Sequence, residues 1–332
     1  MRHLAPAFVL LIALTAAGAA RSGSESGLIA FTRYRFQNAP LWSEIWVARP
    51  DGSHAVKISH AAHAVEDDQA HFSPDGHWIV FDRCGRGACS IWLVHPNGTG
   101  QYELHVPCPT GTCDDANPSF APDGRHVVFE RNWGVVKHGT SPDNDQTQHA
   151  AVAEATLDGA HVTYLRRFDH WEGGFYEARI SPDGRRLVFG SYRWTPARGG
   201  AGTLSVVPLA GGTPRRLTKA ELDAGGSAWS PDGTRILFKS SAPGGELSPG
   251  SVLYEVRADG TGLRRLTNVG GYHYVLTGSY SPDGHSVVFA TDDGATGAFA
   301  DVFTLDLATG RRIQVTRTRN LDGWPAWGVD AR

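Results

Sequence analysis

One phrase, running from Ala70 to Phe81, recurs along the chain and leaves few folds open to it. Its centre, Pro74-Asp75-Gly76, returns at Pro122-Asp123-Gly124, Pro182-Asp183-Gly184, Pro231-Asp232-Gly233 and Pro282-Asp283-Gly284. Two residues before each proline stands an aromatic or branched side chain: Phe72, Phe120, Ile180, Trp229 or Tyr280. After each glycine comes an apolar run ending in phenylalanine, at Phe81, Phe129, Phe189, Phe238 and Phe289. Proline presets φ for the second position of a type I turn, aspartate tolerates the third, and glycine takes the left-handed position that closes a bulged hairpin. Each copy therefore reads as strand, tight turn, strand.

The prolines are spaced by 48, 60, 49 and 51 residues, which is the range of propeller blades rather than of smaller solenoid repeats. In the second unit four strands are expected, at Ala70–Ser73, Trp78–Asp82, Ser90–Val94 and Tyr102–Val106. A second turn signal recurs between the third and fourth strands: Asp51-Gly52, Asn97-Gly98, Asp158-Gly159, Gly211-Gly212, Asp259-Gly260 and Thr309-Gly310. Counting the run Leu28 to Arg33 with the five that follow the prolines gives six second strands. The first of them lacks a strand before it. Trp324 to Asp330 supplies one, since Trp327 and Asp330 align with Trp229 and Asp232. The expected fold is thus all-β: a six-bladed β-propeller with four antiparallel strands per blade, the ring closed by N- and C-terminal strands in one blade.

Composition agrees with a turn-dense β protein, with 40 glycines and 19 prolines against one methionine. A formal charge of −3, from 31 basic and 34 acidic residues, gives no footprint for nucleic acid or an anionic membrane. Residues 1–19 read as a secretory signal peptide: Arg2 and His3, an apolar run from Phe8 to Ala17, then Ala17-Gly18-Ala19 for cleavage. That leaves 20–332 for the propeller, with no integral membrane span after cleavage, and a secreted or periplasmic, cell-envelope location. Export makes disulfides possible, and Cys84 with Cys89 and Cys108 with Cys113 form two local pairs. Two short bridges are expected. A zinc site is the rival, although Cys-x4-Cys is wider than the commonest zinc spacing.

The phrases Trp229-Ser230-Pro231-Asp232-Gly233, Arg216-Leu217-Thr218 and Arg265-Leu266-Thr267 resemble the repeat of TolB-type β-propellers, and the resemblance spans about residues 28 to 330. It implies the fold. It implies no single activity, because this repeat occurs in scaffolds, in peptidase accessory domains and in some polysaccharide lyases.

Strand alternation sends the tight turns to one end and the longer connections, among them His60–Gln69, Pro107–Asn117, Asn132–Ala150 and Ser191–Gly202, to the other, where binding is expected. Candidate ligand-binding residues there are Trp42, Asp67, Asp68, His71, Asp115, Trp133, Trp171, Glu177, Arg179, Trp194 and Tyr274. The tryptophans suit a protein hot spot or a sugar platform, and the carboxylates suit a cationic or peptide ligand. The same acids also suit hydrogen bonds that fix their own loops, and Glu177 with Arg179 a structural ion pair. Histidines cluster at His60, His63 and His71. Since some lyases of the resembled class hold a metal with histidines from several blades, His63, His71 and His170 are the metal candidates. No Gly-x-Ser-x-Gly elbow, His-Glu-x-x-His or phosphate-binding loop is present. The expected function is that of an exported, non-catalytic scaffold engaging a protein or cell-envelope glycan without a cofactor. The alternative is a metal-assisted, glycan-active enzyme with a divalent cation at the channel mouth.

Overall fold

The computed structural model describes residues 26–35, 42–61, 65–85, 87–109, 111–136, 146–168, 173–195, 199–241, 251–267, 275–292 and 300–331. The leader assigned to residues 1–19 lies outside them, as do His63, His170, Trp171 and Tyr274.

The chain begins with β1 (Leu28–Arg35), β2 (Trp42–Ala48) and β3 (Val56–Lys57). A group of four follows: β4 (Glu66–Phe72), β5 (Ile79–Gly85), β6 (Ala88–Val94) and β7 (Tyr102–Glu103). The third group is β8 (Cys113–Phe120), β9 (His126–Val136), β10 (Gln146–Thr156) and β11 (Val162–Arg167). The fourth is β12 (Gly173–Ile180), β13 (Arg186–Thr195), β14 (Gly199–Pro208) and β15 (Arg215–Arg216). Next come β16 (Ala224–Trp229), β17 (Arg235–Ser240), β18 (Val252–Arg257) and β19 (Arg264–Arg265). The last full group is β20 (Val275–Tyr280), β21 (Ser286–Asp292), β22 (Ala300–Asp306) and β23 (Arg312–Gln314), and β24 (Leu321–Gly328) ends the chain.

Four of these groups are separate four-stranded antiparallel sheets. The first two share an eight-stranded sheet, because Ser43 and Glu66 make one parallel pair between β2 and β4. Its outermost member is β24, which pairs antiparallel with β1 from Leu28↔Gly328 to Tyr34↔Leu321. The C-terminal strand is thus hydrogen-bonded to the N-terminal one, as the sequence reading requires.

The turns are those the repeat specifies. Gly76, Gly184, Gly233 and Gly284 donate their N–H to the carbonyl three residues back, at 2.8–2.9 Å. Their φ values of 67–73° are open to glycine at no steric cost. Both local disulfides are formed, Cys84–Cys89 across the β5–β6 hairpin and Cys108–Cys113 ahead of β8, and no cysteine is free.

The repeat's phenylalanines build the core. Phe31, Phe81, Phe129, Phe238 and Phe289 are fully buried, and Phe189 nearly so. Apolar clusters lie between consecutive strand groups: Ile79 and Phe81 pack with Ile45 and Val47, Phe189 with Val152, and Phe289 with Leu237. A further cluster joins Ile29, Phe31 and Trp327 to Leu276, Val288 and Val302, so the first strands also pack on the last sheet.

Strand ends differ from the sequence reading in one consistent way. Asn132–Ala150 and Ser191–Gly202 read as long connections, whereas pairing continues outward through Trp133↔His149 and Arg193↔Ala201. Glu66–Asp68 and Cys113–Asn117, also read as connection, open β4 and β8. In each case polar side chains at paired positions hide the strand from a hydrophobicity pattern, while the backbone ladder is indifferent to them.

Because β24 supplies β1 with its hydrogen-bonding partner and covers Leu276 and Phe31, deleting residues 321–332 should lower the melting temperature by at least several degrees or cause aggregation. An unchanged thermal melt would mean that this strand contributes nothing to the fold.

Candidate functional site

The polar residues of interest lie on the leading strands, those that precede each first turn: β4, β8, β12, β16, β20 and, beside β1, β24. Each carries a bulge where register shifts by one residue against the next strand, at the same place in five of them and one residue later in β20. In five of them the bulge holds a residue with positive φ: Gln69, Asn117, Glu177, Gly226 and Trp324, at 45–59°. Four of the five are not glycine, and such a conformation costs about 1–3 kcal/mol each unless its surroundings hold it.

Carboxylates hold it. Asp82 Oδ2, on β5, accepts the backbone N–H of Asn117 at 2.8 Å. Glu130, on β9, accepts the N–H of Glu177 on one oxygen and Asn117 Nδ2 at 2.9 Å on the other. Asp68 Oδ1 accepts the N–H of Gln69 at 2.7 Å and Thr32 Oγ1 at 2.6 Å, while Tyr34 OH donates to Asp68 Oδ2. Asp82 and Glu130 each come directly after a repeat phenylalanine. They therefore tie one sheet's second strand to the next sheet's bulge.

Two positions before the bulge, three groups carry a buried aspartate in a two-bonded grip. Asp67 accepts Arg83 at 2.6 and 2.8 Å, Asp115 accepts Arg131 at 2.7 and 2.7 Å, and Asp322 accepts Arg33 at 2.7 and 2.9 Å. Arg83 lies over Trp92 at 4.1 Å and Arg33 over Trp46 at 4.2 Å. The equivalent residues in the other groups are Phe175, Ala224 and Val275, all buried. Asp67 and Asp115, expected to meet a ligand, are thus enclosed within the sheets, and so is Asp322. Breaking a buried pair of this kind costs about 3–5 kcal/mol.

Two positions after the bulge, β4 and β12 reach each other. Arg179 Nη2 lies 2.9 Å from His71 Nε2, and Arg179 Nη1 donates to the carbonyls of Asn117 at 3.1 Å and Ala178 at 3.0 Å. Because guanidinium only donates, His71 accepts through Nε2 and carries its proton on Nδ1. Burial, then the charge of Arg179, push the imidazole well below its usual range. Burial also lowers Arg179, against the pull of Glu177, Glu130 and Asp82. Two buried atoms here have no hydrogen-bond partner among the described residues, Asp82 Oδ1 and Arg179 Nε. A group offering both a donor and an acceptor would satisfy them.

The remaining expected site residues are dispersed. Trp42 opens β2, half-buried, beneath Arg35 at 5.6 Å. Trp133, expected in a connection, lies in β9, is 4% exposed and stacks on His149 at 5.1 Å, so it is a packing residue. Trp194 stands in β13, paired with Gly200. Asp68, His71, Glu177 and Arg179 are brought together. Among the described residues no group of three His, Cys, Asp or Glu side chains is placed to hold a metal ion, and His63 and His170 fall outside those residues. Asn117, Asp82, Glu130 and Tyr34 belong to the cluster and escaped the sequence reading. Alignment of the repeats would have shown charge directly after Phe81 and Phe129.

Comparison with known proteins agrees with this fold. Residues 168–332 match the family model of the TolB beta propeller domain. The crystal structure of TolB from Acinetobacter baumannii superposes with a TM-score of 0.67 at 18% identity, covering 93% of this chain and 68% of that one. A putative TolB from Agrobacterium tumefaciens gives 0.60 at 17%, covering 89% and 91%. Residues 168–332 belong to the TolB beta propeller domain family, and the chain shares its fold with both TolB structures. An uncharacterized peptidase of Bacillus subtilis (strain 168), YuxL, is 29% identical over 65% of this chain. The matches span only 12 to 40% of the curated relatives' own length.

The buried acids fix a pH dependence. Burial pushes Glu130 from 4.5 up to about 8, and Asp68 from 3.8 to about 6. The folded state then keeps protons that the unfolded chain has released, so stability falls as pH rises across that interval. Turn residues such as Asp75 and Asp232, lowered by their serine hydroxyls, act in the opposite sense and only below about pH 4. Glu130→Gln should flatten the decline between about pH 5 and pH 8 in denaturant titrations. An undiminished slope would show that Glu130 does not carry it.

Proposed function

We propose that residues 20–332 form an exported, closed six-bladed propeller that binds a protein or cell-envelope ligand at its long-connection end and carries out no chemistry of its own. Closure is supported by the β24–β1 pairing and by the apolar cluster joining β1 and β24 to β20–β22. The two disulfides support an oxidising compartment, and therefore a leader in residues 1–19. Among the described residues no helix is long and apolar enough to cross a membrane.

The observation that carries the binding reading is the asymmetry of the two ends. At one end each first turn is closed within a few residues by a glycine-terminated hydrogen bond, whereas at the other β17 and β18 are separated from Ser240 to Val252 and β19 and β20 from Arg265 to Val275. A rigid scaffold with its variable segments gathered on one side is an arrangement for recognition. Beneath that end Asp82 Oδ1 and Arg179 Nε have no hydrogen-bond partner among the described residues, which favours a ligand group offering both a donor and an acceptor. Trp42, Trp171, Trp194 and Tyr274 are the proposed contact aromatics. The metal-assisted alternative needs His71 as a ligand, and its Nε2 already faces Arg179, so binding without a metal is the better-supported reading.

Capture from a cell-envelope fraction tests it. Immobilised mature protein should retain a partner, and the Trp42→Ala/Trp171→Ala/Trp194→Ala variant should lose it by at least tenfold while keeping its melting temperature. Asn97→Ser and Thr309→Ser, at the tight-turn end, should retain it. Loss confined to the tight-turn variants would reverse the assignment of the binding face.

A further inference from the structure

At the tight-turn end, between the β16–β19 and β20–β23 sheets, lies a cavity of about 560 Å³. Three arginines line it, Arg235, Arg257 and Arg264, together with Glu255, Tyr280 and His285. Its volume falls within the roughly 300–1,000 Å³ of small-molecule sites.

The preceding junction shows how two arginines can close this space. There Arg186 reaches across from β13 and donates to the carbonyl of Gly233 at 3.0 Å. Arg215 reaches across from β15 and donates to the carbonyls of Ala258 and Asp259. By position in the repeat, Arg235 is the equivalent of Arg186. Strand register makes Arg264 the equivalent of Arg215, since Arg215 pairs with Val206 and Arg264 with Glu255.

Neither equivalent crosses to the next sheet. Both turn inward to Glu255 Oε1, Arg235 Nη1 at 2.7 Å and Arg264 Nε at 2.9 Å. Tyr280 OH donates to the other oxygen at 3.1 Å. Glu255 is 1% exposed, at the position opposite the middle residue of the repeat's apolar run. Val206, Leu93 and Val47 occupy that position in three other groups, and Glu154 and Thr304 in the remaining two. One buried carboxylate has therefore drawn two sealing arginines off the junction and holds them side by side. The other guanidinium N–H groups of both arginines make no hydrogen bond within the described residues. Arg257 makes only a 3.4 Å contact with Thr261. The two acids at the rim do not answer these donors: Asp232 accepts from Ser230 and Thr234 and Asp283 from Ser281 and His285, each within its own turn.

We propose that this cavity is a binding site for a small oxyanion-bearing molecule, with Arg257 and Arg264 contacting a carboxylate or phosphate group and Glu255 positioning Arg235 and Arg264. Guanidinium presents paired donors whose spacing matches two oxygens of such a group, which a lone ammonium cannot reproduce. The site lies at the opposite end from the binding face proposed above and does not depend on it.

Calorimetric titration of the mature protein with inorganic phosphate and, separately, with succinate tests the assignment. One saturable site is expected for at least one probe. Saturation by phosphate alone points to a phosphate-bearing ligand, by succinate alone to a carboxylate, and by both to the shared oxyanion. The Arg257→Gln/Arg264→Gln variant should bind at least tenfold more weakly; because Arg264→Gln also removes one partner of the buried Glu255, Arg257→Gln alone, which leaves Glu255 with Arg235, Arg264 and Tyr280, should weaken binding with an unchanged melt. Arg125→Gln, an exposed arginine at another turn, should bind as the wild type does. Failure of both probes to saturate, or undiminished binding by the double variant, would overturn the proposal.

Discussion

A backbone N–H inside a bulge has no strand partner, and much of the polar architecture of this protein answers that one requirement. Each leading strand must bend where it passes its neighbours, and in five of the six the bend leaves a left-handed residue whose amide points away from the ladder. A buried amide without an acceptor costs about 1–3 kcal/mol. Asp82 and Glu130 supply acceptors from the neighbouring sheet, and Asp68 supplies one from its own strand. The bends are thereby tied to contacts between sheets, so the sheets' mutual placement and the strand geometry are one problem rather than two.

This explains why so many charges are tolerated in the interior. Asp67, Asp115 and Asp322 are held by arginines that stack on phenylalanine or tryptophan rings, and Arg179 links β12 to β4 past the sheet between them. The same scaffold with Phe175, Ala224 and Val275 at the equivalent sites needs no such pairs. Departures from the repeat are therefore informative in either direction. A charge where the repeat is apolar marks a tie or a site, and Glu255 is the case in which the surrounding donors are left without acceptors.

The strand-turn-strand repeat was legible because its turn chemistry is local: proline, aspartate and glycine at fixed offsets say nearly the same thing in any context. The β24–β1 pairing was legible for a related reason, since Trp327 and Asp330 copy a phrase whose missing half stands at the other terminus. Outer strand ends were not, because Trp133 and Arg193 pair through backbone groups that side-chain pattern does not report. Asp68, His71, Glu177 and Arg179 were picked out as interesting residues, but their roles depend on partners 108 positions away in the case of His71 and Arg179. Asp82 and Glu130 were passed over because each follows a run that reads as core. Comparison of equivalent positions across repeats, rather than motifs along the chain, finds both of them and Glu255.

Residue-resolved amide hydrogen exchange in Asp82→Ala is the most direct test of the tie between sheets. Removal of the acceptor should accelerate exchange at Asn117 by at least tenfold while the amide of Phe238, in a distant sheet, keeps its protection. Equal protection at Asn117 in wild type and variant would contradict the claim that the carboxylate holds the bulge.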